Sequence, residues 1–315
     1  MATASEVLVV LNIIYSDIIE PFFCVLYAYI LVRIIKAKSV NFRSEFYVFS
    51  VATGVAAISN VLLNWVLRLI DNRFQYFPNR GVFLNIDSML SHICALAISI
   101  GKTLSVTTRF TAICLIHKKN IWDGRVIPVC LVVMFGLPTL IYCYFPLSGS
   151  VFLPTANGYG YFIGITNPGQ TIAKAFAATG YFFFFLTTVP MCFFSVLRLR
   201  TERLRDRIDS DRPEKMFAVY AVVLTTSHMF KSILQSIWFI ALLLNKSDLQ
   251  ATVVGLYLFP NTLSAFAEPV LLLITSPKLR DEVFPWRRRS VPRTVATTVT
   301  TAQSSPTRRN YERSN

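Results

Sequence analysis

Seven long apolar stretches constrain the fold of this chain more than any other feature. They cover residues 18–35, 46–67, 85–108, 126–146, 173–197, 216–244 and 251–275. Each is long enough to cross a bilayer as a helix, because about 20 residues span the hydrocarbon core. With 54% hydrophobic and only 15% charged residues, the chain could not cover so much apolar surface in water. We therefore predict an all-α membrane protein built as a bundle of seven transmembrane helices.

The positive charge between these stretches predicts an orientation in the membrane. The first, third and fifth connections and the C-terminal segment together hold 24 Lys and Arg residues, whereas the N-terminal segment and the other three connections hold 4. Because Lys and Arg are retained on the cytoplasmic side, we expect the N-terminus outside and the C-terminus inside. The basic residues behind the net charge of +14 lie in these short connecting segments, so the charge does not indicate nucleic acid as a partner.

The segment after the seventh stretch predicts a short amphipathic helix on the inner leaflet. Leu279, Val283 and Trp286 fall at positions i, i+4 and i+7, which places them on one helical face. The sequence beyond them is polar and aperiodic and is expected to be disordered, with Ser290 and Ser305 as candidate phosphorylation sites. The predicted parts are an extracellular N-terminus (1–17), a seven-transmembrane domain (18–275), a juxtamembrane helix (276–286) and a basic Ser/Thr-rich cytoplasmic tail (287–315).

Three ionisable residues inside the spans are candidates for function, because charge is costly in a bilayer. Lys102 and Glu268 both lie roughly 10 Å above the inner boundary at 1.5 Å per residue. They are candidates for an ion pair between the third and seventh helices. Alternatively, Lys102 snorkels to the inner interface and Glu268 meets water or backbone. Lys231 lies near the midplane and should point into the bundle, either as a ligand or switch contact or as a solvated structural lysine.

Polar side chains in the outer half of the spans predict a cavity for a small organic ligand. The candidate ligand-binding residues are Asn60, Asn64, Ser88, His92, His228 and Lys231. Taken singly, Asn60, Asn64, Ser88 and His92 are more typical of residues that hydrogen-bond between helices. The cytoplasmic segments contain no metal cluster, nucleophile–base pair or phosphate loop, so we expect no enzyme activity, metal or cofactor.

The sequence after the fifth span predicts that this helix continues beyond the membrane. Leu197, Thr201, Leu204 and Ile208 follow helical spacing on one face, and arginines occupy the remainder. Such a basic face can bind anionic headgroups of the inner leaflet or an acidic partner, or it can simply be solvated. The candidate contact residues are Arg200, Arg203 and Arg207.

Several motifs resemble those of G-protein-coupled receptors. In "TTRFTAI" (107–113), Arg109 and Phe110 correspond to the arginine and tyrosine of the Asp-Arg-Tyr motif, and Thr108 replaces the acid. In "EPVLLLI", Glu268 replaces the asparagine of the Asn-Pro motif. The loop 147–172 lacks the usual cysteine, and the sixth span lacks Cys-Trp-x-Pro. These departures fit nematode serpentine chemoreceptors. The segment after the first span, "KSVNFRSEFYVFSVATG", and the segment after the seventh, "SPKLRDE", are similar to the gamma class. The resemblance covers residues of roughly 17–285.

The resemblance implies a chemosensory receptor at the plasma membrane, expected in sensory-neuron cilia. It would bind an odorant or pheromone and activate a heterotrimeric G protein through Arg109, Phe110 and the basic fifth-helix extension. Without an acid beside Arg109, the inactive-state restraint on this arginine must come from elsewhere. The alternatives are a ligand-gated cation channel of the insect odorant-receptor kind, whose topology is inverted, or a solute or proton transporter that uses the buried charges. Homo-oligomerisation is left open.

Overall fold

The computed structural model describes residues 10, 14–37, 44–73, 82–115, 121–122, 124–148, 150–154, 161–165, 169–206 and 211–285. Within these ranges the chain is almost entirely helical. The α-helices are α1 (Glu20–Lys36), α2 (Glu45–Arg73), α3 (Val82–Cys114), α4 (Val126–Tyr142), α5 (Gly169–Asp206), α6 (Asp211–Leu243), α7 (Ser247–Thr275) and α8 (Pro277–Val283). A π-helix, Tyr15–Ile19, precedes α1, and a 3-10 helix, Phe145–Leu147, follows α4.

The seven predicted apolar stretches fall on α1 to α7, in the predicted order. Four segments of the described chain are long and apolar enough to cross a membrane, namely Glu45–Trp65, Asn85–Cys114, Val126–Leu147 and Gly169–Thr201. The apolar part of α7, Phe259–Thr275, is shorter. Helix α5 also continues to Asp206, beyond its predicted span, as the helical spacing indicated.

A short β-hairpin between α4 and α5 is an addition to the predicted all-helical fold. Its strands, β1 (Ser150–Pro154) and β2 (Tyr161–Ile165), pair antiparallel, with Phe152 opposite Ile163. The hairpin lies beside α3 and α5. The strands are rich in β-branched and aromatic residues, which favour extended structure, but each is too short to show a clear alternation within an apolar sequence.

Helix α3 occupies the centre of the bundle, because it contacts α2, α4, α5 and α6. Helix α7 closes the bundle against α1 and α2. Two glycines allow neighbouring helices to approach closely. A Cβ at Gly54 would lie 2.8 Å from side-chain atoms of Tyr27 and Leu31. A Cβ at Gly101 would overlap Thr53 and lie 2.8 Å from Met134. The buried core therefore depends on tight contacts among α1, α2, α3 and α4.

Helix α8 docks onto the C-terminal end of α1. The Ser276 hydroxyl caps it by accepting a hydrogen bond from the Leu279 backbone N–H at 3.3 Å. The Arg33 guanidinium donates through Nε to the Glu282 carbonyl at 2.9 Å. Leu279 and Val283 are fully buried in a cluster with residues of α1, α2, α6 and α7. Protein thus covers two of the three residues that the sequence placed toward the leaflet, and contact of α8 with lipid stays a prediction.

Candidate functional site

The three ionisable residues singled out in the sequence all lie in the interior of the bundle. Lys102 of α3, Lys231 of α6 and Glu268 of α7 each have no exposed side-chain surface. A buried charge in a membrane bundle needs a partner or a function. The surroundings of each residue therefore decide what the site can do.

Lys102 joins α3 to α7 through a serine one helical turn before Glu268. The Lys102 ammonium donates to the Ser264 hydroxyl at 3.0 Å and also to the Ser264 backbone carbonyl. Lys102 and Glu268 interact electrostatically, but within the described part of the chain neither carboxylate oxygen of Glu268 has a hydrogen-bond partner. The two charges thus face the same interior, and a direct ion pair between them stays a prediction.

Hydroxyl groups and cations lie around Glu268 in the interior of the bundle. Electrostatic interactions connect its carboxylate to Arg109 as well as to Lys102, and Ser50 of α2 lies beside it. The hydroxyls of Tyr27 and Tyr220 lie within range of its charge without a hydrogen bond to it. Glu268 is therefore a point where α1, α2, α3, α6 and α7 come together.

Arg109 is held by an aromatic ring from a neighbouring helix. Its guanidinium carbon lies 3.9 Å from the centre of the Phe46 ring at the start of α2. The Thr108 hydroxyl donates to the Ser105 carbonyl at 2.8 Å, and the Thr107 hydroxyl donates to the Thr103 carbonyl at 2.8 Å. The Thr107 hydroxyl also donates to Met191 Sδ of α5 at 3.5 Å. Arg109 is thus held by the Phe46 ring, whereas the neighbouring threonine hydroxyls bond to α3 and α5.

The outer candidates Asn60 and Asn64 serve contacts within and between helices. The Asn60 amide donates to the Ser91 carbonyl of α3 at 3.2 Å, and the Asn64 amide donates to the Asn60 side-chain oxygen at 2.7 Å. On the other side of α3, the His92 Nδ1 lies 2.8 Å from the Ser88 carbonyl. The structure therefore places Asn60 and Asn64 at the α2–α3 interface, and Ser88 and His92 toward α4.

His92 lies at the α3–α4 interface among aromatic rings. Its imidazole is centred 5.3 Å from the Tyr142 ring and 5.1 Å from the Phe145 ring. His228 of α6 is fully buried elsewhere, and its two ring nitrogens have no hydrogen-bond partner in the described ranges. His228 and Lys231 are therefore the predicted ligand contacts whose polar atoms remain available.

Sequence analysis overlooked a further buried cation near the N-terminal end of α5. Lys174 is 6% exposed, and its ammonium nitrogen lies 3.5 Å from the centre of the Trp238 ring on α6. A similar pair lies seven residues away on both helices: Tyr181 follows Lys174 on α5, and Lys231 precedes Trp238 on α6. The Lys231 ammonium lies 5.4 Å from the Tyr181 ring centre. These two lysine–aromatic contacts join α5 and α6 at levels roughly 10 Å apart, given a rise of 1.5 Å per residue.

Sequence analysis also overlooked two buried acids near the ends of predicted spans. Glu20 of α1 is 3% exposed and accepts a hydrogen bond from the Thr262 hydroxyl of α7 at 2.5 Å. Asp87 of α3 is 4% exposed. Glu20, Asp87 and Lys174 all lie near the ends of predicted spans. An ionisable residue inside an apolar stretch, the feature that singled out Lys102, therefore also indicates these three.

The structure describes some of the candidate residues of the predicted cytoplasmic face. Arg200 is exposed on α5, Phe110 is half-buried on α3, and Arg203 belongs to α5. Arg207, Ser290 and Ser305 lie outside the described residues. Among the residues that are described, no group of three or more His, Cys, Asp or Glu side chains could hold a metal ion.

The long apolar helices and the buried polar interior define a multi-pass membrane protein. The family model described as Srg family chemoreceptor matches residues 19–283, which is most of the chain. The protein therefore belongs to the Srg family of serpentine chemoreceptors, which confirms the resemblance to the gamma class. This is a receptor family rather than an enzyme family, and it implies a seven-transmembrane bundle. A search of curated proteins found no match.

Proposed function

We propose that this chemoreceptor binds a small odorant or pheromone in the outer half of its bundle and activates a heterotrimeric G protein from its cytoplasmic face. The proposal rests above all on the position of Arg109. This arginine lies near the inner end of the central helix and is held by a cation–π contact with Phe46 rather than by an adjacent acid. Because such a contact is modest in strength, ligand binding energy could release it.

In this proposal the buried charges link the ligand site to the G-protein face. Lys102 binds Ser264 of α7, and four residues further along α7 Glu268 interacts electrostatically with both Lys102 and Arg109. A shift of α7 relative to α3 would therefore alter the environment of Arg109. The proposed orientation has the N-terminus outside, with the C-terminal tail in the cytoplasm and the basic end of α5 near the anionic inner leaflet.

The role of Arg109 can be tested by nucleotide exchange on a purified G protein. The receptor would be reconstituted in nanodiscs and exposed to a panel of volatile and pheromone compounds. We expect at least one compound to accelerate exchange with the wild type, and the Arg109→Ala variant to lose that acceleration. Arg125→Ala removes an exposed arginine that precedes α4 and should retain the response. An Arg109→Ala protein that activates the G protein as well as the wild type would refute the assignment.

The link between Lys102 and Glu268 is tested by exchanging the two charges. Lys102→Glu or Glu268→Lys alone places like charges near each other in the interior, so each variant should lose surface expression or signalling. The double variant restores opposite charges and should recover part of the response. If each single variant signals normally, or if the double variant recovers nothing, the two residues do not act as a pair.

A further inference from the structure

Helix α6 carries a row of buried polar groups with side-chain atoms that have no hydrogen-bond partner in the described part of the chain. His228, Lys231 and Gln235 follow helical spacing, and each is at most 3% exposed. Within the described part of the chain, the Lys231 ammonium, both His228 ring nitrogens and the Gln235 side-chain oxygen have no hydrogen-bond partner. Groups of this kind are costly to bury, and their convergence on one face indicates that something else binds there.

The electrostatic surroundings of this row favour a negatively charged group. The ionisable residue that acts most strongly on Lys231 is Lys102, and both lysines act on His228. Lys231 also contacts the Tyr181 ring, with its ammonium nitrogen 5.4 Å from the ring centre, near the limit of a cation–π contact. The Lys102 ammonium is bound to Ser264, and Glu268 acts on it as a counter-charge. Lys231 and His228 lie within range of the Lys102 charge but keep unused donors. An anion beside Lys231 would therefore bind these donors and reduce the repulsion between the cations.

The residues above this row have apolar or aromatic side chains. Trp238 lies seven residues from Lys231 on α6 and is 5% exposed, and the Tyr257 ring of α7 is centred 6.0 Å from it. Lys174 contacts the same tryptophan at the outer end. A ligand with its charged group at Lys231 would therefore extend its body along aromatic rings toward the outer side.

We propose that Lys231 and His228 bind the carboxylate of an organic acid with an apolar body. This inference rests on the proposed function in so far as the ligand lies within the bundle, and it adds the chemical class of that ligand. Lys231 supplies the charge, His228 supplies a ring N–H, and Trp238 and Tyr257 contact the apolar body. An alcohol or amine of the same size lacks the charge that this site requires.

The test is thermal unfolding of the full-length protein in nanodiscs. The probes are straight-chain carboxylates from acetate to dodecanoate, with the alcohols and amines of equal length as controls and sodium chloride as the inorganic anion. For a carboxylate at a hundredfold excess over its Kd, we expect Tm to rise by about 5 °C. The matched alcohol and amine should have little effect. This readout needs no G protein, so its outcome is separate from the nucleotide-exchange experiment.

Two variants make the assignment specific to Lys231. Lys231→Arg keeps a cation and should retain stabilisation by the carboxylate. Lys231→Met removes the unpaired charge, so the ligand-free protein should unfold at the same or a higher temperature, and the carboxylate should no longer raise Tm. The inference is overturned if no carboxylate exceeds its alcohol on the wild type, if chloride stabilises as strongly as any carboxylate, or if Lys231→Met responds like the wild type.

Discussion

Replacement of Phe46 by leucine should raise the ligand-independent activity of the receptor. The Phe46 ring lies 3.9 Å from the Arg109 guanidinium carbon and is 7% exposed. A cation–π contact contributes about 0.5–1 kcal/mol when exposed and about 2 kcal/mol when desolvated. Arg109 is half-buried, so we assign the contact about 1 kcal/mol. Leucine keeps an apolar side chain at this position but removes the ring that attracts the arginine.

The expected magnitude follows from the equilibrium between inactive and active states. A loss of about 1 kcal/mol from the inactive state alone shifts this equilibrium about fivefold, since about 1.4 kcal/mol corresponds to a factor of ten. The assay is basal nucleotide exchange on the G protein at equal amounts of receptor. We expect Phe46→Leu to exchange about fivefold faster than the wild type, within the range where the active fraction is small.

Phe49 offers a matched control on the same helix. It lies three residues after Phe46, is fully buried and makes an edge contact with Trp122, with ring centres 5.6 Å apart. Phe49→Leu removes the same number of atoms without touching the cation–π contact, and Phe46→Tyr keeps the ring. Both controls should leave basal activity unchanged. If Phe49→Leu raises basal exchange as much as Phe46→Leu does, a general loss of packing in α2 explains the effect. If Phe46→Leu reaches the surface normally and leaves basal exchange unchanged, Phe46 does not restrain Arg109.

Two further predictions concern stability and are measured by thermal unfolding in nanodiscs. Thr262→Val removes the hydrogen bond to the buried Glu20 carboxylate. It should destabilise the protein by about 1.5–3 kcal/mol, the usual value for a hydrogen bond to a charged group. An unchanged Tm would show that this bond is not made. Gly101→Ala should destabilise by about 1–3 kcal/mol because its Cβ would overlap Thr53. Gly136→Ala, where the nearest atom is 3.9 Å away, should be neutral or stabilising, and equal losses in the two variants would contradict the close packing.

The helices were predictable because their determinants are local. The length of each apolar stretch indicates a helix whatever its neighbours are, and the cost of a mid-membrane charge predicts that Lys231 turns inward. The one-turn spacing of Asn60 and Asn64 placed them side by side, and their hydrogen bond follows from that spacing. The hairpin between α4 and α5 was missed because its short strands lie in a loop without a clear alternation of polar and apolar residues.

The partners of the buried groups were not predictable, because they depend on the rotation and depth of each helix. The similar depth of Lys102 and Glu268 suggested an ion pair, but nothing in the sequence indicated that the Lys102 ammonium would bind Ser264 of α7. The contact between Arg109 and Phe46 joins residues 63 positions apart, and no single-sequence pattern connects them. A cation–π contact needs only one cation and one aromatic residue, and with 26 Phe and 13 Tyr in the chain no particular ring is indicated as the partner.

The orientation of the chain in the membrane tests the receptor account most directly. Epitope tags would be placed at the N-terminus and at the C-terminus, and antibodies would be applied to intact and then to permeabilised cells. The account predicts that only the N-terminal tag stains on intact cells and that both tags stain after permeabilisation. Staining of only the C-terminal tag on intact cells would invert the chain, place Arg109 on the outer side and favour a channel of the insect odorant-receptor kind over a G-protein-coupled receptor.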